Sequence, residues 1–239
     1  MPTGGGKSIT FQVPALAMDG VCLVITPLIA LMKDQVANLK KRHIKAAAIY
    51  SGLSREQIIS TLENCIFGAV KILYVSPERL ASNLFLTKLR HINVSFITVD
   101  EAHCITQWGY DFRPSYLKIA DIRQHLPGKP ILALTATATP AVVDDIQDKL
   151  EFPEKNVKKM SFQRNNLAYI IRKAEDKPRE LLRILNSTEG STIIYVRNRE
   201  ATRTISQWLR ENGQCRIHRR LCQRYRHHSF PGPDFKYDR

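Results

Sequence analysis

Short apolar runs alternate with segments of helical pattern along most of the chain. The runs are rich in Val, Ile and Leu and lack polar alternation, so they predict strands buried on both faces of a parallel sheet. The segments between them space their apolar residues as amphipathic helices do. The predicted strands are 21–26, 71–76, 94–100 and 130–136, and the predicted helices are 29–41, 55–67, 115–125 and 140–150.

The helix at 140–150 carries its own start signal. Thr139 is a typical N-cap residue, and Pro140 follows at the first helical position, where proline is favoured. The regular exchange of strands and helices predicts an α/β doubly wound domain over residues 1–155.

A second unit is predicted after the polar stretch 151–159, which has the composition of a linker. The pattern then indicates strands at 167–172 and 191–196 and helices at 177–185 and 199–212. This order predicts the start of another α/β domain over residues 156–213.

The character of the chain changes at residue 214. Residues 214–239 contain seven Lys or Arg against two Asp and no Ala, Val or Glu, and they show no strand or helix period. Two interpretations stay open for this basic tail. One is a nucleic-acid-binding arm, and the other is sequence outside the fold, for example from a shifted reading frame.

Overall charge favours a polyanionic partner. The net charge is +14 with a pI near 9.8, and +9 remains in residues 1–213 after the tail is set aside. No apolar run approaches the ~20 residues that span a bilayer, and the N-terminus lacks a signal-peptide pattern. A cytoplasmic location is therefore expected, at the nucleoid if the cell is bacterial.

Five cysteines are present without any C-x-x-C pair, so neither a zinc site nor a disulfide framework is indicated. Cys215, His218 and Cys222 lie close together in sequence, but they lack a second pair of ligands. No zinc is expected.

The opening MPTGGGKS matches a phosphate-binding loop, although Met1 stands where the strict pattern has glycine. Its glycines let successive N–H groups turn toward phosphate oxygens, and the following helix directs its positive dipole at the anion. The lysine would reach the β- and γ-phosphates of a nucleotide, and the serine hydroxyl would bind Mg²⁺. The predicted nucleotide-binding residues are Gly4, Gly5, Gly6, Lys7 and Ser8.

An acid pair at the end of the apolar run VSFITVDEAH supplies the second half of such a site. Asp100 is placed to hold Mg²⁺, and Glu101 is placed to orient or deprotonate the attacking water. With Lys7, these are the predicted catalytic residues of a nucleoside-triphosphate hydrolase.

The segment after the acids is rich in aromatic residues. Trp108 and Phe112 offer faces for base stacking, worth about 1–3 kcal/mol per base, and Arg113 can pair with phosphate. Packing in the core is the alternative for at least one of these side chains.

At these motifs the chain resembles superfamily 2 helicases of the RecQ type over about residues 1–213. The resemblance is carried by MPTGGGKS, TPLIALMKDQV (26–36), YVSPERL (74–80), DEAHCITQWGYDFRP (100–114), TATAT (135–139), SFQRNNL (161–167) and TIIYVRNRE (192–200). It implies a RecA-like motor domain, the start of a second one, and an ATP- and Mg²⁺-dependent 3′-to-5′ DNA helicase of recombination and repair. Single-stranded DNA or DNA junctions are the implied partners.

The resemblance also implies roles for individual residues. In the family, the aromatic-rich loop senses single-stranded DNA and signals to the adjacent ATPase site. Tyr110 and Thr106 differ from the usual histidine and serine. The implied DNA-contacting positions are Thr26, Pro27, Ser76, Arg79, Trp108, Phe112 and Arg113. The implied positions that couple ATP to DNA are His103, Gln107, Thr135 and Thr137.

The family pattern is incomplete at both ends of this sequence. No strand precedes the phosphate loop, and no arginine-bearing motif follows residue 213, so the chain is expected to be a fragment that does not unwind duplexes. Two alternatives stay open: a non-catalytic remnant that binds ATP or nucleic acid, and another superfamily 2 helicase acting on RNA.

Overall fold

The computed structural model describes residues 5–106, 113–161 and 166–213. The chain divides into two compact units between residues 165 and 166, later than the predicted boundary at residue 155.

The first unit is built on a five-stranded parallel sheet in the order β2-β3-β1-β4-β5. The strands are β1 (Val21–Ile25), β2 (Ala46–Ile49), β3 (Ile72–Val75), β4 (Val94–Val99) and β5 (Ile131–Ala133). The helices are α1 (Lys7–Ala17), α2 (Ile29–Lys41), α3 (Arg55–Ile66), α4 (Asn83–Leu89), α5 (Ile122–His125) and α6 (Pro140–Lys149). Short 3₁₀ turns cover Pro77–Ala81, Ala102–Ile105 and Pro114–Ile119.

Burial on both faces explains why the strands are apolar runs. Every residue of β1, β3 and β4 is buried. Alternate side chains enter two separate clusters, one around Leu62, Phe85 and Ile97 and the other around Phe11 and Met32. Helices cover both clusters, as a parallel sheet requires.

All four strands predicted for the first unit are confirmed, but β2 was missed. Its sequence is Ala46-Ala47-Ala48-Ile49, and alanine is depleted in strands, so no apolar β-branched run marks it. The predicted N-cap of α6 is also confirmed, because the Thr139 hydroxyl accepts a hydrogen bond from the N–H of Val142 at 3.4 Å.

The predicted continuous helix at 115–125 is wrong. A 3₁₀ turn over Pro114–Ile119 and the short helix α5 take its place. Tyr116, Ile119 and Ile122 are all buried, and this three-residue spacing fits the three residues per turn of a 3₁₀ helix.

The second unit contains α7 (Lys177–Ser187) and α8 (Arg199–Glu211), which confirms both predicted helices. The predicted strands at 167–172 and 191–196 are wrong, because neither segment is paired in a ladder. Their apolar side chains are exposed, with Ile171 at 99% and Tyr195 at 88%. An apolar run becomes a strand only with a hydrogen-bonded neighbour, and the part of the chain described here supplies none to these segments.

Over residues 5–106, 113–161 and 166–213, no helix has both the length and the apolar character needed to cross a membrane.

Candidate nucleotide site

The phosphate loop leads directly into α1. Gly6 has φ of 82° and ψ of 22°, a left-handed conformation that glycine adopts without strain, and its carbonyl accepts the N–H of Ile9 at 2.9 Å. The first turn of α1 contains no acidic side chain, so its positive end faces no carboxylate of its own. Lys7 and Ser8 are half-buried at this end. Gly5 is exposed just before it, and Gly4 lies outside the described residues.

Asp100 is held where β4 ends. Its N–H donates to the Ile25 carbonyl at 2.8 Å, which extends the contact between β4 and β1 by one residue. Its carboxylate accepts hydrogen bonds from the Glu101 N–H at 3.0 Å and from the Thr26 hydroxyl at 3.4 Å. The side chain is therefore fixed in direction before any ligand arrives.

Burial raises the pKa of the Asp100 carboxyl above its ordinary value, and the negative charge of Glu101 acts in the same direction. The Lys7 ammonium and the hydrogen bonds from the Glu101 N–H and Thr26 oppose that rise. A carboxylate in this position gains from a nearby cation, because the cation would offset the cost of its buried charge.

Glu101 occupies strained backbone. Its φ of 50° and ψ of 44° are left-handed, which is uncommon for a residue with a side chain and typical of functional sites. Its Oε1 lies 3.5 Å from the Lys7 Nζ, and the two side chains are only 24% and 16% exposed. The fold thus brings the predicted acid and the predicted lysine together from positions 94 residues apart.

His103 connects Glu101 to the segment after β5. Its Nδ1 lies 3.4 Å from Glu101 Oε2 and 3.0 Å from the hydroxyl oxygen of Thr135. The same hydroxyl accepts the N–H of Thr137 at 3.2 Å. These contacts form a continuous polar path from the acid pair to the TATAT motif.

Tyr116 is a site residue that the sequence did not reveal. Its side chain is fully buried, and its hydroxyl donates to the Asp100 carbonyl at 2.9 Å. Burial strongly raises the pKa of this phenol, so it stays a hydrogen-bond donor. The Tyr116 hydroxyl therefore helps to hold the backbone of Asp100 in place.

Arg113 links the C-terminal end of the aromatic-rich segment 108–113 to the turn that follows β1. Its Nη1 donates to the Pro27 carbonyl at 3.3 Å, and its N–H donates to the Cys104 carbonyl at 2.9 Å. Gln107, Trp108 and Phe112, which were predicted to stack on DNA or couple it to ATP, lie outside the described residues.

The other predicted DNA positions cluster at the C-terminal ends of β1 and β3. Thr26 is 3% exposed and Ser76 is 1% exposed, so both side chains are buried. Pro27 is also buried, and Arg79 donates to the Tyr50 carbonyl at 3.2 Å. In this structure these side chains shape the edge of the sheet that carries Asp100.

The two oxygen donors predicted to hold Mg²⁺ suit that cation rather than a transition metal. The Asp100 carboxylate and Ser8 hydroxyl belong to the ligand class that this hard cation prefers. Across the described ranges, no three His, Cys, Asp or Glu side chains form a group that could hold a metal ion. Mg²⁺ commonly binds through one or two carboxylates together with nucleotide phosphates and water, so the two protein oxygens are a fitting set.

Comparison with known proteins agrees with this geometry. The DEAD/DEAH box helicase family matches residues 1–146. An ATP-dependent DNA helicase RecQ from Bacillus subtilis is 45% identical over 89% of this chain and 36% of its own length. A protein of the same name from Haemophilus influenzae is 42% identical over 89% of this chain and 35% of its own length.

The predicted resemblance to RecQ helicases is thus confirmed, and the chain spans about a third of the length of these relatives. The crystal structure of the DUF1998 helicase MrfA matches with a TM-score of 0.65 at 20% identity, covering 89% of this chain and 35% of that chain. This likeness supports the predicted α/β RecA-like fold. The phosphate loop, the acid pair beside it and the matching family together show that the chain belongs to the DEAD/DEAH box helicases.

Proposed function

We propose that this chain supplies the ATP-hydrolysing motor of an ATP-dependent DNA helicase of the RecQ type. The observation that carries the proposal is the meeting of Lys7 and Glu101 at 3.5 Å beside the fixed carboxylate of Asp100. An anion site at a helix start, a metal-ligating acid and a base within reach of both are the parts that nucleotide hydrolysis requires.

Each side chain has a role that follows from its position. Ser8 and Asp100 would hold Mg²⁺, which supplies charge neutralisation for the phosphates when bound. When a nucleotide binds, the Lys7 ammonium would move from Glu101 to the phosphates. The Glu101 carboxylate would then be free to orient or deprotonate a water. His103, in contact with both Glu101 and Thr135, would report the state of that carboxylate to the TATAT motif.

Lys7→Ala is expected to weaken binding of ATP and ADP in the presence of Mg²⁺ by at least about tenfold, because a charge-assisted contact to phosphate is lost. Isothermal titration of the full chain measures it. Lys118→Ala is the matched control, since Lys118 is an exposed lysine on the 3₁₀ turn at Pro114–Ile119. Equal nucleotide affinity in Lys7→Ala and the parent would show that the lysine does not contribute to nucleotide binding.

DNA is the proposed nucleic-acid substrate, with phosphate contacts from the +9 of residues 1–213 and stacking from the aromatic segment. Arg113 supports the link to ATP, because it joins the end of that segment to Pro27 beside the acid pair. A role in recombination and repair is part of the same proposal, as is a cytoplasmic location, at the nucleoid in a bacterial cell.

Trp108→Ala is expected to weaken binding of single-stranded DNA by about five- to 150-fold, the equivalent of about 1–3 kcal/mol of stacking. Fluorescence anisotropy at several salt concentrations measures the affinity, which should fall as salt rises. Phe67→Ala is the control, because Phe67 is an aromatic side chain that is 83% exposed at the end of α3. If Trp108→Ala and Phe67→Ala bind DNA as the parent does, the tryptophan is a packing residue.

A further inference from the structure

β2 is an edge strand of the sheet. Among the described strands it pairs only with β3. The Lys45 and Ile49 carbonyls accept N–H groups from residues 71, 72 and 76 on the β3 side. Because successive residues of a strand turn their peptide groups to opposite sides, the N–H and C=O groups of Ala46 and Ala48 point outward. Ala46 is only 4% exposed and Ala48 is half-buried, so the part of this edge that another backbone can reach is at Ala48.

This edge lies at the floor of a groove between two helices. The groove has a volume of about 700 Å³ and continues toward the start of β2 into a second cavity of about 520 Å³. Val36 and Ala37 of α2 line one wall, and Ser60 and Thr61 of α3 line the other. The alanine side chains of β2 add little bulk between the walls, so a second backbone can approach.

The groove is basic. Lys33 and Lys40 project from the α2 wall, and Lys45 stands at the entrance to β2. Lys33 Nζ lies 4.7 Å from the centre of the Tyr50 ring. This cation–π contact holds the Lys33 charge at the Tyr50 end of the groove. Among residues 5–106, 113–161 and 166–213, no ion pair includes any of the three lysines, and Glu56 is the acidic side chain on the lining.

We propose that this groove, which we term the β2 groove, binds an acidic, extended segment of a partner protein as an additional strand along β2. The outward N–H and C=O of Ala48 select an extended backbone, which they bind by hydrogen bonds. The three lysines select carboxylates on the side chains of that segment. A nucleic-acid strand would meet the charges but has no peptide groups to pair with the strand edge.

The β2 groove is separate from the nucleotide site. Three strand spacings lie between β2 and β4, a distance of about 14 Å. Partner binding and nucleotide binding are therefore compatible on one molecule.

The proposal is tested with a fluorescent hexapeptide of alternating valine and glutamate, titrated with the full chain and followed by anisotropy. The acidic peptide is expected to bind, and its valine–lysine counterpart is not. Lys33→Glu/Lys40→Glu should weaken the acidic peptide by at least about tenfold, because two favourable charge pairs become repulsive. Lys158→Glu/Lys159→Glu, an equal charge change on exposed residues outside the groove, should stay within about twofold.

Ala48→Pro tests the strand edge independently of charge. Proline removes the outward N–H but leaves the bonds between β2 and β3, which is the arrangement that edge strands tolerate. This variant should also weaken the acidic peptide by about tenfold, with its fold checked by circular dichroism.

Three results would overturn the proposal. The first is no binding of the acidic peptide at protein concentrations up to about 1 mM. The second is binding that neither Ala48→Pro nor Lys33→Glu/Lys40→Glu changes. The third is displacement of the peptide by oligothymidylate, combined with a loss of about tenfold in the affinity of oligothymidylate for Lys33→Glu/Lys40→Glu. That result would show that the groove binds nucleic acid.

Discussion

Glu101→Gln is expected to lower the rate of ATP hydrolysis by about 10²–10⁴-fold while nucleotide affinity is kept. The amide preserves the shape of the side chain but cannot accept the proton of the attacking water. The binding elements stay in place, because Gly6, Lys7 and Ser8 hold their positions through the backbone of α1. Steady-state release of phosphate by parent and variant, at saturating ATP with Mg²⁺, measures the loss.

Glu63→Gln is the matched control for this experiment. Glu63 lies on α3, where its carboxylate pairs with Lys88 at 3.1 Å on the half-exposed surface. Its replacement should leave hydrolysis within about twofold of the parent, because exposed ion pairs contribute little. Hydrolysis by Glu101→Gln at more than about a tenth of the parent rate would show that another group activates the water.

Tyr116→Ala is expected to lower the free energy of unfolding by about 3–5 kcal/mol, the usual cost of removing a buried aromatic side chain. Tyr116 is fully buried in the core cluster beneath the acid pair, so its loss leaves both a cavity and an unpaired Asp100 carbonyl. Urea denaturation followed by circular dichroism measures the change.

Tyr116→Phe separates the two contributions. It keeps the ring and removes the hydroxyl that bonds to Asp100, so the expected cost is about 1–3 kcal/mol. The ring's share is then the difference between the two variants. A loss below about 1 kcal/mol for Tyr116→Ala would contradict the packing described here.

The strands of the first unit could be predicted from sequence because burial on both faces leaves a continuous apolar run. β2 escaped prediction because an edge strand of alanines has no such run, and tertiary pairing with β3 decides its conformation. The reverse error occurred at 167–172 and 191–196. Those segments have the composition of strands, but composition does not supply the neighbour that a ladder needs.

The helix prediction at 115–125 failed for a related reason. Burial of Tyr116, Ile119 and Ile122 imposes a three-residue spacing, and a stretch this short fits a helical pattern almost as well. α2, with more than three turns of regular pattern, was predicted with its observed bounds of Ile29–Lys41.

The proximity of Lys7 to the acid pair could be predicted because two motifs with known chemistry imply each other. Lys7, Asp100 and Glu101 were expected to converge, and the sheet brings them together. Tyr116 could not be found this way, because a tyrosine that supports a backbone carbonyl leaves no spacing signal.

We propose above that Lys7, Asp100 and Glu101 form an ATPase site that responds to DNA. The most direct test is the rate of ATP hydrolysis by the full chain with no nucleic acid, with single-stranded DNA and with single-stranded RNA of the same sequence, each repeated with Lys7→Ala. We expect the parent protein to hydrolyse ATP faster with single-stranded DNA than with RNA, and Lys7→Ala to abolish hydrolysis. Folded protein that hydrolyses no ATP under any of these conditions, or whose rate is the same in Lys7→Ala, would contradict it.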